Sequence, residues 1–77
     1  MKDTIISYED AQRVIPMLRY LEKEAPISEA RKSAARILWD LGPVRGDVDY
    51  RLGGYQLFLS STDYRFLNDI MEQMGLR

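Results

Sequence analysis

The chain contains no cysteine and no histidine among its 77 residues. Without cysteine it has no disulfide, no thiolate nucleophile and no thiolate ligand for zinc. Without histidine it lacks the commonest general base and the commonest zinc ligand. Its serine and threonine hydroxyls therefore have no histidine to activate them. We expect no catalytic residues, no metal site and no cofactor, and so a protein that is not an enzyme.

Long apolar runs are absent as well. No segment approaches the ~18 apolar residues of a membrane-spanning helix, and the first six residues lack the apolar run of a signal peptide. We therefore expect no membrane partner and a cytoplasmic location, in the host cytoplasm if the chain is viral. The missing cysteines agree with a prokaryotic or viral setting. The length predicts a single domain over 1–77, since each domain usually needs upwards of ~50 residues.

Apolar residues recur at helical spacing in three segments of the chain. This spacing predicts helices over 8–24, 28–41 and 61–74. Ser7 is placed to cap the first helix, and Pro16 inside it is expected to kink that helix or to split it in two. Gly75 should end the third helix, with Leu76 folding back on Met71.

A β-hairpin is predicted over 48–59, where apolar and polar residues alternate around two glycines. If Gly53 and Gly54 form a two-residue turn, one face of the hairpin becomes apolar throughout. The expected pairs on that face are Leu52–Tyr55, Tyr50–Leu57 and Val48–Leu59. Together the elements predict a small α+β fold in the order helix–helix–β-hairpin–helix (ααββα).

Some large apolar residues fall out of phase with this core. At ~100° per residue, Trp39 lies about opposite the apolar stripe of the second helix. Phe58 is the one apolar residue on the polar face of the hairpin. Tryptophan and arginine are enriched at binding hot spots, and residues 30–51 carry five basic and three acidic side chains. The predicted partner-binding residues are Arg31, Lys32, Ala35, Arg36, Trp39, Arg45, Arg51 and Phe58. The competing interpretation packs Trp39 into the core.

The first function that these features favour is a non-catalytic protein-binding module, which acts by occupying a partner protein. Inhibitors, adaptors, immunity proteins and antitoxin-like proteins, including those encoded by phages and mobile elements, are of this class. This function is supported by the absence of cysteine and histidine, by the small size of the chain and by the surface around Trp39. Homodimerisation through the same aromatic residues belongs to the same class, and it would compensate for a thin core.

The second function is a DNA-binding transcriptional regulator. Part of the chain resembles the recognition-helix-and-wing half of the winged-helix family: residues 28–42, Val44 and the strands ending at Leu59–Ser60. The resemblance covers about half of the chain and implies base or phosphate contacts from Arg31, Lys32, Arg36 and Arg51. It requires Pro16 to split the first helix, so that three helices precede the hairpin. Nucleic acid is the less expected partner, because the net charge is −1.

Overall fold

A computed structural model of the chain describes residues 2–41, 48–49 and 54–76. The elements are β1 (Lys2–Ser7), α1 (Tyr8–Glu24), α2 (Ser28–Leu41), β2 (Val48–Asp49), β3 (Gly54–Leu59) and α3 (Ser61–Gln73). The α+β class predicted from the sequence is confirmed, with its three helices and an antiparallel pair of strands before the last helix. The observed order is βααββα, because a strand precedes the first helix.

The strand β1 is the element that the sequence analysis missed. It pairs antiparallel with β3 along its whole length, from Lys2 opposite Leu59 to Ser7 opposite Gly54. The sheet has three strands in the order β1-β3-β2, so β3 is central. This strand carries little local signal, because its two apolar residues, Ile5 and Ile6, are adjacent and do not alternate with polar ones, and its partner lies far along the chain.

The register predicted for the hairpin is wrong. Val48 lies opposite Tyr55, where Leu59 was expected, and Asp49 lies opposite Gly54. Gly54 is therefore the first residue of the central strand, not part of a two-residue turn. Tyr50, Leu52 and Gly53 lie outside the described residues, so their expected pairings are not addressed by the structure.

The face assignment within β3 is nevertheless correct, because side chains alternate between the two faces along a strand whatever the register of its partner. Leu57 and Leu59 are buried, whereas Gln56 and Phe58 are exposed. The buried face of the sheet packs against the three helices. On the other face, called the open face, the described side chains of Ile5, Gln56 and Phe58 are exposed. The core residues are Ile6, Ala11, Val14, Leu18, Ala34, Ile37, Leu41, Leu57, Leu59, Leu67, Ile70 and Met71.

Helix α1 runs without interruption through Pro16, so a single helix is confirmed and the alternative of a split into two short helices is wrong. Its start is set by Ser7, whose Oγ accepts a hydrogen bond from the backbone N–H of Asp10 at 3.1 Å. Pro16 is exposed, and the buried residues of α1 lie on the opposite side. The apolar stripe thus continues across the proline and holds the helix against its neighbours; the kink stays a prediction.

Helix α3 is capped at both ends, and its last turn ends as predicted. The Oγ of Ser60 accepts a hydrogen bond from the backbone N–H of Asp63 at 3.1 Å. At the other end Gly75 has a φ of 76°, and the N–H of Leu76 donates to the carbonyl of Met71 at 2.8 Å. Leu76 packs against the core, which confirms the predicted return of Leu76 onto Met71.

Gly54 is required by the close approach of β1 to the central strand. A Cβ at this position would collide with the carbonyl oxygen of Ile6 and lie 2.9 Å from the Cα of Ser7. These are backbone atoms within a paired strand, so neither can move away without breaking the pairing. We expect Gly54→Ala to lower the free energy of unfolding by about 3 kcal/mol, as for a severe overpacking substitution.

Urea denaturation followed by circular dichroism measures this change. The matched control is Gln56→Ala, two residues along the same strand, where the side chain is exposed. That variant should differ from the wild type by less than about 1 kcal/mol. Equal stabilities of Gly54→Ala and Gln56→Ala would contradict the β1–β3 register described above.

Candidate functional site

Trp39 and Phe58 line one open groove on the surface. The groove has a volume of about 500 Å³ and lies where the last turns of α2 meet the end of β3 and the start of α3. Its lining residues are Arg36, Trp39, Asp40, Phe58, Leu59, Ser60 and Asp63. We call it the Trp39–Phe58 groove. It brings together two predicted binding residues from distant parts of the sequence, and a third, Arg36, lies beside them.

Trp39 is on the surface and not in the core. The buried side of α2 carries Ala34, Ile37 and Leu41, and a helix turns by about 100° per residue, so Trp39 points away from that side. It is 57% exposed. A tryptophan is normally among the better buried residues of a protein. The exposure of this one leaves a large apolar surface in contact with water.

Phe58 reaches the groove from the open face of the sheet. It lies in β3 between Leu57 and Leu59, which are both buried, and strand alternation therefore turns Phe58 outward. Its exposed fraction is 53%. The aromatic rings of the groove thus come from two different layers of the fold, one helical and one from the sheet.

Arg36 and Asp63 form an ion pair at the groove and join α2 to α3. The guanidinium donates from Nε to Oδ2 of Asp63 at 2.8 Å and from Nη2 to Oδ1 at 2.9 Å, which is bidentate geometry. Nη2 also donates to the Oγ of Ser33 at 3.3 Å. Asp63 is only 4% exposed, whereas the side chain of Arg36 is 53% exposed.

The pair shifts the ionisation of both groups. The hydrogen bonds from Arg36 hold the pKa of Asp63 below its ordinary value, against the opposing effect of burial, and Ser33 and Ser60 contribute in the same direction. The same hydrogen bonds raise the pKa of Arg36. The buried carboxylate therefore stays ionised at neutral pH, and Arg36 is committed to a contact within the chain.

This pair could not be predicted from the sequence, which indicated a partner-binding role for Arg36 and no contact between Arg36 and Asp63. The two residues are 27 positions apart, and their charges carry no spacing signal that distinguishes them from other surface residues. A buried acid at the start of a helix becomes recognisable only once α2 and α3 are packed together.

The other predicted binding residues that the structure describes do not line the groove. Arg31 donates from Nη1 to the carbonyl of Ala25 at 2.6 Å, which ties the start of α2 to the end of α1. Lys32 is exposed and lies 3.6 Å from the carboxylate of Glu29, one turn away. Ala35 is half-buried. Arg45 and Arg51 lie outside the described residues.

A second apolar surface lies on α1. Met17 and Tyr20, 39% and 61% exposed, line a shallow depression of about 410 Å³ together with Arg13, Pro16 and Met74. Within the described ranges, no cluster of three or more acidic side chains is placed to hold a metal ion. No helix among those described combines the length and the apolar character needed to cross a bilayer.

Comparison with known proteins finds no matching family model, no matching curated protein and no matching solved structure. Any functional inference therefore rests on the geometry of the chain itself.

The single tryptophan of the chain makes the exposure of Trp39 directly measurable. Because its indole is largely in water, we expect the emission maximum of the folded protein to lie close to that of the urea-unfolded chain. Acrylamide should quench the folded protein at roughly half of the rate constant found for the unfolded chain, in line with the 57% exposure. A strongly blue-shifted, poorly quenched emission would contradict the placement of Trp39 on the surface.

The Arg36–Asp63 pair should make stability depend on pH in the acid range. Since the pKa of Asp63 is lower in the folded chain than its ordinary value of about 3.9, the unfolded carboxyl takes up a proton at the higher pH. The stabilisation is therefore complete above about pH 5 and is lost as the pH falls through about 4 towards the folded pKa.

Asp63→Asn removes this titration and is the variant to compare. The difference in free energy of unfolding between wild type and Asp63→Asn, measured by urea denaturation, should be largest near neutrality and should shrink below about pH 4. Asp69→Asn, which removes an exposed acid on the same helix, serves as the control. If the difference in free energy of unfolding between wild type and Asp63→Asn were constant with pH, it would contradict the lowered pKa of Asp63 in the folded chain.

Proposed function

We propose that the chain is a small protein-binding module that acts by occupying a partner protein through the Trp39–Phe58 groove. Inhibitors, adaptors, immunity proteins and antitoxin-like proteins act in this way. The observation that carries the proposal is the convergence of two aromatic side chains, each more than half exposed, on one groove. Aromatic residues seated in pockets are the usual energetic centres of protein interfaces.

The area of exposed apolar surface at the groove supports the proposed protein binding. Trp39 and Phe58 together leave roughly 200 Å² in water, if aromatic side chains present 150–250 Å² each. At about 25 cal/mol per Å², covering this surface is worth about 5 kcal/mol before the cost of association. That is enough for the centre of an interface and too little for the whole of one. A partner must therefore also contact the polar rim of the groove.

The support beneath the groove is rigid, which favours binding. The bidentate contact between Arg36 and Asp63 fixes α2 relative to α3, and these helices supply most of the lining. A partner then does not have to order the backbone when it binds, so less of the interaction energy is lost to conformational entropy. In this proposal Arg36 positions the groove, and Trp39 is the anchor.

The groove suits a partner that inserts a large apolar side chain and surrounds it with polar groups. Leu59 and the two aromatic rings form apolar walls, and the polar lining residues are Arg36, Asp40, Ser60 and Asp63. An apolar centre within a polar rim is the usual organisation of a protein–protein interface. We expect the partner to contribute a leucine, methionine or aromatic residue at this point.

The winged-helix alternative has less support. It needs three helices before the hairpin, whereas α1 continues through Pro16. Two of the arginines that it assigns to DNA, Arg31 and Arg36, make short hydrogen bonds within the chain. The exposed side chain of Lys32 is compatible with either a protein or a DNA partner.

Trp39→Ala tests the proposal. The substitution removes the proposed anchor without touching the core, so the melting temperature should stay within about 3 °C of the wild type. Affinity for the partner should fall by about 30-fold or more, as for a hot-spot residue. Phe58→Ala should weaken the same partner, because it lines the same groove.

The control is Tyr20→Ala, since Tyr20 is a comparably exposed aromatic residue on α1, away from the groove. Wild type and the three variants are immobilised in parallel, and the proteins retained from a lysate of the native host are quantified. A specific partner is held by wild type and Tyr20→Ala and lost by Trp39→Ala and Phe58→Ala. Equal retention by all four proteins, or salt-sensitive binding to arbitrary duplex DNA, would refute the proposed function.

A further inference from the structure

β1 is an edge strand without the usual protection against pairing. It occupies one end of the sheet order, and in the part of the chain that is described its only strand partner is β3. The six pairs from Lys2–Leu59 to Ser7–Gly54 are consecutive, so the strand has no bulge. It also has no proline, and its charged residues are confined to the first two positions. Edge strands are normally blunted by one of these devices along their length.

The open face of this edge is apolar at its centre. Ile5 lies opposite Gln56 of the central strand and is 49% exposed, whereas Ile6, on the other face, is buried. A β-branched residue that is half exposed in the middle of an edge strand favours contact with another strand. The four residues from Thr4 to Ser7 are uncharged, so nothing in this stretch repels a partner.

We propose that two copies of the chain pair antiparallel along β1 and form one continuous six-stranded sheet. The twofold axis is perpendicular to the sheet and passes beside Ile5, so that Ile5 lies opposite Ile5 of the second copy. Thr4 then lies opposite Ile6, and Ser7 opposite Asp3. With this axis the helices of both copies cover the same face of the sheet, and the open faces join.

Symmetry and charge determine the register in which β1 of the second copy pairs with β1. A twofold axis perpendicular to the sheet places one residue opposite itself. Centring the pair on Asp3 would place two carboxylates opposite each other, and centring it on Thr4 would place Asp3 opposite Ile5. Centring it on Ile5 pairs the two apolar side chains and leaves no like charges facing. A parallel in-register arrangement is disfavoured, because it would align Lys2 with Lys2 and Asp3 with Asp3.

The expected association is weak. Five residue pairs along one strand bury much less than the ~1,600 Å² of a standard interface, which places the contact in the transient class. We therefore expect a monomer–dimer equilibrium with a dissociation constant in the micromolar range or above. The equilibrium is closed at two copies, since the isologous pairing uses the same edge on both.

Sedimentation equilibrium over low micromolar to millimolar concentrations tests the proposal. Wild type should convert from monomer to dimer, and Ile5→Lys and Ile5→Glu should each remain monomeric, because like charges then lie opposite one another. An equal mixture of the two variants should recover the dimer, since lysine then lies opposite glutamate. Circular dichroism confirms that each variant is folded, and recovery in the mixture shows the same.

Gln56→Lys is the matched control. Gln56 is in the same row of the open face as Ile5 but one strand further in, so that in the dimer the two copies of Gln56 are about 14 Å apart. This variant should dimerise as the wild type does. Ile5→Cys gives a second readout, because the chain has no other cysteine: mild oxidation should link Ile5→Cys chains in pairs much faster than Gln56→Cys chains.

The proposal is independent of the Trp39–Phe58 groove, and Trp39→Ala should dimerise normally. A wild type that stays monomeric throughout the range would overturn the β1 pairing. Three other results would also overturn it: dimerisation of Ile5→Lys in the absence of Ile5→Glu, assembly beyond two copies, or loss of the dimer in Trp39→Ala.

Discussion

The antiparallel pairing of β1 with β3 is the contact on which the other features depend. It places the amino-terminal strand against the central strand of the sheet and requires glycine at position 54, where the two backbones approach closely. Ile6 of β1 and Leu57 of β3 lie on the same buried face, which the helices cover. Phe58 lies on the opposite face of β3 and is exposed.

A second constraint, the Arg36–Asp63 pair, connects this sheet to the proposed binding surface. The last helix follows β3 after a single residue, so the position of α3 is set by the strand, and the ion pair then sets α2 against α3. The Trp39–Phe58 groove is the space that remains between these elements. Its two aromatic walls are therefore held by contacts that lie outside the walls themselves, which is how a rigid binding surface is usually built.

The predictions from sequence succeeded where the signal is local. The apolar period of the helices, the cap at Ser7 and the return of Leu76 each depend on residues within a few positions of one another. They failed where the signal is distant. The strand β1 and the pairing of Arg36 with Asp63 depend on partners that many residues of chain separate. The hairpin register was wrong although its paired residues are close in the sequence.

The candidate site divides in the same way. The sequence by itself determined that Trp39 and Phe58 are out of phase with their own elements, since helical and strand periodicity are properties of short segments. Only the tertiary structure decided that both residues line one groove and that Arg36 is bound to Asp63. It also decided that Arg31 binds the carbonyl of Ala25 between α1 and α2. Periodicity predicts the direction in which a side chain points, and the packing of elements decides what lies there.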